Sequence, residues 1–414
     1  MRTTLLLLGA ALVSGALWAT PTVEDVQLDV SDHKRVKIAF RLTEPAVVTI
    51  DIQTNEVTSG VWRSIGAANF TNLVPNVAGR RLAKGAYEIV WKARSNWPDQ
   101  HAKALRAEVT AWALDNPPDL MAVDLTASSN VVFYASESAM PFAVTSDVYK
   151  TDWLLLRRVR AAGIPWRMGS SALLPYREDN EVPRIVTLTE DFYLGVHECT
   201  QGQRDNAMNV SASGQGGRMM PYVLGSYHDL RGTDFSWPQD GHQVSRASLL
   251  GRMREKTGVS FDLPTSAQWE FAARGGEVAC FVDGSEENFQ NVTNRGAAVP
   301  ALGDYANALM TPSLPQPDLK EVGSLKPSGF GFYDLFGNVW EWCLDWCPTK
   351  ADVSTGPEID PVGPLANDEN FRVCRGGSIY SAYGGLSLAH QEGFVATRQA
   401  TDTGFRVACP AVVK

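Results

Sequence analysis

GFGFYDLFGNVWEWCLDW, from Gly329 to Trp346, packs aromatic, glycine and acidic residues into one short run. Its tryptophans, Trp340, Trp342 and Trp346, are too large and too closely spaced to be left in water, and they are read as core. Asp334 and Glu341 stand on either side of Gly337. A loop kinked at that glycine can turn the carbonyls of Gly337 and Val339 inward. Carboxylates mixed with backbone carbonyls are what a calcium ion takes as ligands. The bland alternative is that Glu341 pairs with an arginine such as Arg375.

Three further segments frame this run: LPTSAQWEFAARGG (Leu263 to Gly276), RVCRGGS (Arg372 to Ser378) and TGFRVAC (Thr403 to Cys409). In the first, Thr265 and Gln268 form a capping box. Trp269, Ala272 and Ala273 share a face, Glu270 and Arg274 are an i,i+4 pair, and Gly275 ends the helix. A second helix is predicted from about Ser245 to Lys256, with Leu249, Leu250 and Met253 on one side and Gly258 past its end. In the other two segments the glycines serve tight turns, Phe405 and Val407 alternate as in a last core strand, and Arg375 and Arg406 hold internal carboxylates as scaffold.

The 414 residues are 44% hydrophobic with 12 Trp, enough for two or three cored domains. The net charge of −9 is spread along the chain, which argues against a nucleic-acid partner. Residues 1–19 read as a secretory signal: Arg2 is followed by a short apolar run from Leu5 to Leu17 and by the small Ala19. No later run is apolar enough to span a bilayer. The chain is expected to be exported, into a compartment where disulfides persist.

Between 20 and 116 the apolar residues alternate with period two: Val26, Leu28 and Val30; Val36, Ile38, Phe40 and Leu42; Val48, Ile50 and Ile52; Tyr87, Ile89 and Trp91; Leu105, Ala107, Val109 and Ala111. Six or seven half-buried antiparallel strands follow, in an immunoglobulin- or fibronectin-like β-sandwich. Asn116-Pro117-Pro118-Asp119 closes it, because adjacent prolines cannot continue a ladder. Residues 117–149 read as a connecting segment with one or two strands, such as Asn130 to Ala135, and 150–414 as a second domain.

Taken together, the four marked segments, in their order and spacing from Lys150 to Val413, resemble the formylglycine-generating enzyme / sulfatase-modifying factor family. That resemblance implies an α+β fold of the C-type-lectin-like kind. It implies a structural calcium ion at Asp334, Gly337, Val339 and Glu341, where the first position is an amide in the family. Asn307, with the carbonyl of Ala308, matches part of a second calcium site. It also implies a Cys at position 343, leaving Cys347 and Cys374 as extras, and extras that occur together in an exported chain suggest a Cys347–Cys374 bridge. Cys199–Cys409 is a second candidate, since both lie on predicted terminal strands.

Family members that oxidise sulfatase cysteines carry two copper-binding cysteines after the Gly-Gly-Ser turn. Here that turn is Gly376-Gly377-Ser378, and the two positions hold Ser381 and Leu386. Copper(I) needs soft sulfur donors, which neither supplies, so no copper is expected. The six histidines include no i,i+4 pair, which argues against the iron chemistry of ergothioneine-synthesis relatives. Cys343 and Cys347 lack a second Cys or His pair at zinc spacing. His390 and Glu392 lie where the family's substrate groove belongs. Two functions follow as expectations: a lectin-like binding module for peptide or glycan, without formylglycine-generating activity, or a formylglycine-generating / nonheme-metal oxidase superfamily enzyme with altered active-site chemistry.

Overall fold

The structure is a computed structural model that describes residues 19–32, 34–55, 61–71, 73–98, 104–128, 130–171, 177–211, 217–275, 302–309 and 317–413. The signal-like segment lies outside the described residues, apart from Ala19, as does Cys280.

The alternation between 20 and 116 folds into two antiparallel sheets. One takes β1 (Val23–Asp29), β2 (Val36–Leu42), β7 (Gly85–Trp91) and β5 (Leu73–Val74), in that order. In the other, β8 (Leu105–Trp112) lies along one side of β3 (Ala46–Asn55), while β4 (Trp62–Ser64) and β6 (Arg80–Leu82) share its other side. The buried positions of β2 are the four read from the sequence, Val36, Ile38, Phe40 and Leu42. Val36 and Ile38 pack with Ile52, Ile89 and Trp91, and Phe40 and Leu42 with Ala46 and Val48. The strands not foreseen, β4, β5 and β6, have two or three residues each, too few to show a period. One single-turn helix, α1 (Ala93–Asn96), follows β7.

Residues 117–149 link the two units, but their strands β9 (Leu120–Asp124) and β10 (Val131–Tyr134) are built into the sheet of the second. That sheet runs β10-β9-β11-β14-β22, with β11 (Trp153–Val159), β14 (Phe192–Gly195) and β22 (Ala408–Pro410). Another turn of helix, α2 (Val148–Thr151), precedes β11. The chain's last strand thus closes beside strands laid down early in the unit. Small sheets complete it: β12 (Pro165–Met168) with β13 (Arg184–Thr187) and β18 (Glu358–Ile359), and β15 (Ala306–Asn307) with β16 (Phe336–Gly337). The central one runs β20-β19-β17-β21, of β17 (Trp340–Trp346), β19 (Phe371–Arg375), β20 (Glu392–Val395) and β21 (Thr403–Gly404).

Four helices flank these sheets: α3 (Gln201–Met208), α4 (Tyr227–Arg231), α5 (Leu249–Thr257) and α6 (Ser266–Arg274). The unit is α+β, as the resemblance implies. The capping box of α6 forms as read, with Thr265 accepting from the Gln268 amide and Gly275 in the left-handed region (φ 61°). Helix α5 starts later than expected, at an N-cap on Ser248, and Gly258 ends it.

The units meet across β10. The Phe133 amide donates to the Gly79 carbonyl at 2.8 Å, and Arg80 Nη1 donates to the Val131 carbonyl at 3.1 Å. Gly79 has φ +70°, and a Cβ there would lie 2.5 Å from the Phe133 carbonyl oxygen, so this approach requires glycine. Val47 and Leu114 join Phe133, Met121 and Tyr193 in one apolar cluster.

Candidate functional site

Strand β17 divides its residues between two sides. Trp340, Trp342 and Leu344 enter one apolar cluster, whereas Cys343 enters another. Glu341, wholly buried, faces the second side. Both of its oxygens accept from Arg406, with Nε at 2.6 Å, and Oε2 also accepts from Trp269 Nε1 at 2.6 Å. Arg406 donates further to the carbonyls of Gly195 and Tyr333. The partner of Glu341 is therefore Arg406, not Arg375. Arg375 stands opposite Glu341 in the β17/β19 register, but its guanidinium reaches Glu270 at 3.1 Å, Ser266 Oγ at 2.6 Å and the Ala389 carbonyl at 2.8 Å. Glu270 is shared with Arg274, the pair read on α6. Both arginines hold internal carboxylates.

The expected calcium ligands are brought near one another without forming a ligand shell. Asp334, with φ 60°, accepts from the Gly323 amide at 2.7 Å. The Asn307 side chain donates to Asn338 Oδ1 at 3.1 Å, and its carbonyl accepts from the Asn338 amide at 2.7 Å. The Gly337 amide donates to the Gly376 carbonyl, and the Val339 amide to Glu198 Oε1. Glu198 is a buried acid that no local sequence pattern marks. It lies on the loop after β14 and accepts from Asn338 Nδ2 at 2.6 Å. Burial, then the charges of Asp334 and Glu341, push its carboxyl up; burial holds Asp334 at about 6. Of the expected ligands, Glu341 is the one already engaged, by a guanidinium and an indole that take up both of its oxygens. Among the described residues no three His, Cys, Asp or Glu gather to hold a metal. Asp334, backed by Glu198, is the member whose surplus buried charge suits a hard cation.

Around Ser381 and Leu386 the chain is closely packed. Ser381 Oγ accepts from the Ser378 amide at 2.9 Å, and its own amide donates to the Ser378 carbonyl, so the hydroxyl closes the turn. Leu386 is fully buried among Trp269, Val373, Leu388 and Ala389. A Cβ on Gly377 (φ +79°) would lie 2.8 Å from Leu386 Cδ2 and 3.2 Å from Ser381 Oγ, so the turn itself rests on both side chains.

His390 is a buried cation. Its Nδ1 lies 3.1 Å from Glu181 Oε1 and its Nε2 3.8 Å from Glu392 Oε2. Burial opposes the charge, but the two carboxylates outweigh it and push the pKa up to about 9. The folded pKa exceeds the ordinary 6.5, so this stabilisation is complete below about pH 6.5 and is lost as pH rises through about 9. It amounts to about 3 kcal/mol. Urea unfolding at pH 6 and pH 10 should show a smaller drop in His390→Gln than in wild type by about that amount. Equal drops would remove the charged role.

The expected disulfides do not form: Cys199, Cys343, Cys347, Cys374 and Cys409 are all free thiols. Strand register gives the reason. Cys374 pairs with Trp342, while the Cys347 amide donates to Phe371, three residues back along β19. At about 3.3 Å per residue the two sit roughly 10 Å apart, beyond a bridge's reach of about 7 Å. Likewise Cys409 pairs with Tyr193, whereas the Cys199 amide donates to Phe405.

The description "Sulfatase-modifying factor enzyme 1-like domain" matches residues 159–411. The formylglycine-generating enzyme of Thermomonospora curvata is 33% identical over 143 residues, covering 33% of this chain and 45% of that protein. The formylglycine-generating enzyme of Mus musculus is 30% identical over 238 residues, covering 49% and 60%. The chain thus spans about half the length of these relatives. Treponema denticola variable protein 1 superposes with a TM-score of 0.46 at 21% identity, covering 65% of this chain and 98% of that one.

Proposed function

The chain belongs to the sulfatase-modifying factor family, and from that premise we propose that it is an exported, lectin-like binding module for a peptide or glycan, without formylglycine-generating activity. One observation supports the reading. Ser381 closes a turn and Leu386 fills the core, at the two positions where the family resemblance would put the copper-binding cysteines. A hydroxyl and a hydrocarbon cannot replace two thiolates as donors to copper(I). The scaffold around them is kept by the buried Glu341–Arg406 and Glu270–Arg375 pairs, which hold the loops in place whether or not chemistry occurs there. Among the described residues no helix is long and apolar enough to cross a membrane.

The test offers immobilised protein to peptide and glycan arrays without copper. Saturable, selective retention of a ligand is expected. Retention of none would contradict the reading.

A structural calcium ion is part of the proposal. Asp334, the carbonyls of Gly337 and Val339, and Asn307 would hold it, and it would neutralise the acid surplus at Asp334 and Glu198. Metal bound only to the folded chain stabilises it by mass action. EDTA should therefore lower the melting temperature of wild type by several degrees and leave Asp334→Asn unchanged. A melt that ignores the chelator in calcium-depleted buffer would end this part of the proposal.

A further inference from the structure

A cavity of about 500 Å³ lies between the β-sandwich and the second unit, well away from Ser381 and Leu386. Its size is that of a small-molecule site, and domain interfaces are where such sites concentrate. The sandwich contributes Arg80 and Phe70, while β10 and the segment after it contribute Tyr134, Phe142 and Tyr149. Phe142 is 54% exposed at this place and meets Tyr149 edge-on, with ring centroids 6.4 Å apart.

Two polar groups in this wall have donor capacity that the protein leaves unused. Tyr149 is 2% exposed, and its hydroxyl lies beside that of Tyr134 without a hydrogen bond of good geometry. Arg80 makes one described hydrogen bond, to the Val131 carbonyl, which leaves most of its guanidinium donors to spare; burial lowers its pKa, and the nearby Tyr134 and Asp124 offset part of that. The acids near it are already engaged. Asp124 accepts from Thr126, Ala127 and Asn130, and Asp51 accepts from Gln53 and Ser64. A guanidinium with donors to spare, beside a buried phenol and among aromatic rings, is a donor set for a carboxylate attached to a ring.

We propose that this cavity binds a small ring-bearing carboxylate, its carboxylate on Arg80, its ring against Phe142 and Tyr134, and an acceptor atom on the Tyr149 hydroxyl. The ring is an aromatic one or a pyranose; both present a flat apolar face to these side chains, and the two sources are separated by experiment.

The test titrates the exported protein with 4-hydroxyphenylacetate and with D-glucuronate, each beside its methyl ester, by calorimetry. At least one acid should bind saturably, and its ester more weakly by about tenfold or more, the equilibrium equivalent of one charge-assisted hydrogen bond. The acid that binds identifies the ring. Arg80→Gln should weaken that acid by a similar factor. Phe142→Ala, at a position 54% exposed, should weaken acid and ester alike. Melting curves confirm that both variants are folded. The proposal is overturned if neither acid binds wild type, if ester and acid bind equally, or if folded Phe142→Ala binds as wild type does.

Discussion

Arg406→Met is expected to cost about 3–5 kcal/mol, the range for breaking a buried ion pair from one side. The side chain is wholly buried and anchors three segments at once: Glu341 on β17, the Gly195 carbonyl at the end of β14, and the Tyr333 carbonyl before Asp334. Removing it leaves Glu341 with Trp269 Nε1 as its remaining donor, beside two other buried acids. Glu341 then takes up a proton or the loops open. Adding Glu341→Gln to Arg406→Met should recover part of the loss, because the uncompensated charge disappears. Guanidinium unfolding of the single and double variants measures both. A single variant within about 1 kcal/mol of wild type would contradict this account of the core, since that is the range of a pair worth little.

How far the fold was legible depends on how local each signal is. Helix α6 was legible because cap, apolar face, i,i+4 pair and terminal glycine all fall within LPTSAQWEFAARGG. Helix α3 was not: polar throughout (QGQRDNAM), it shows no apolar period, so its capping-box pair Thr200 and Gln203 had no apolar run behind it to mark a helix. The long strands of the sandwich were legible from alternation, and its short ones were not.

The same holds at the site. Glu341 and Arg406 were both recognisable as interior residues, but their pairing depends on β21 running parallel beside β17, which no local pattern encodes. Glu198 reaches Asn338 across 140 positions of chain. The disulfides were misjudged because co-occurrence says nothing of register, and register alone separates Cys347 from Cys374. That Ser381 and Leu386 follow the Gly-Gly-Ser turn could be read directly. That Gly377 packs onto both side chains could not.

This packing bears on the second large effect, which is all-or-none. A Cys-x-Pro-x-Arg peptide, the type of substrate the family resemblance implies, should pass through incubation with purified protein, copper and oxygen unchanged. Ser381→Cys combined with Leu386→Cys should not restore turnover. Position 386 is buried within an apolar cluster, position 381 is tied into a turn, and a catalytic pair needs a supporting shell shaped for it. Mass spectrometry of the wild-type reaction is the most direct measurement. The account predicts that the peptide keeps its thiol mass at the level of a metal-only control; loss of the thiol with gain of an aldehyde above that control would contradict it.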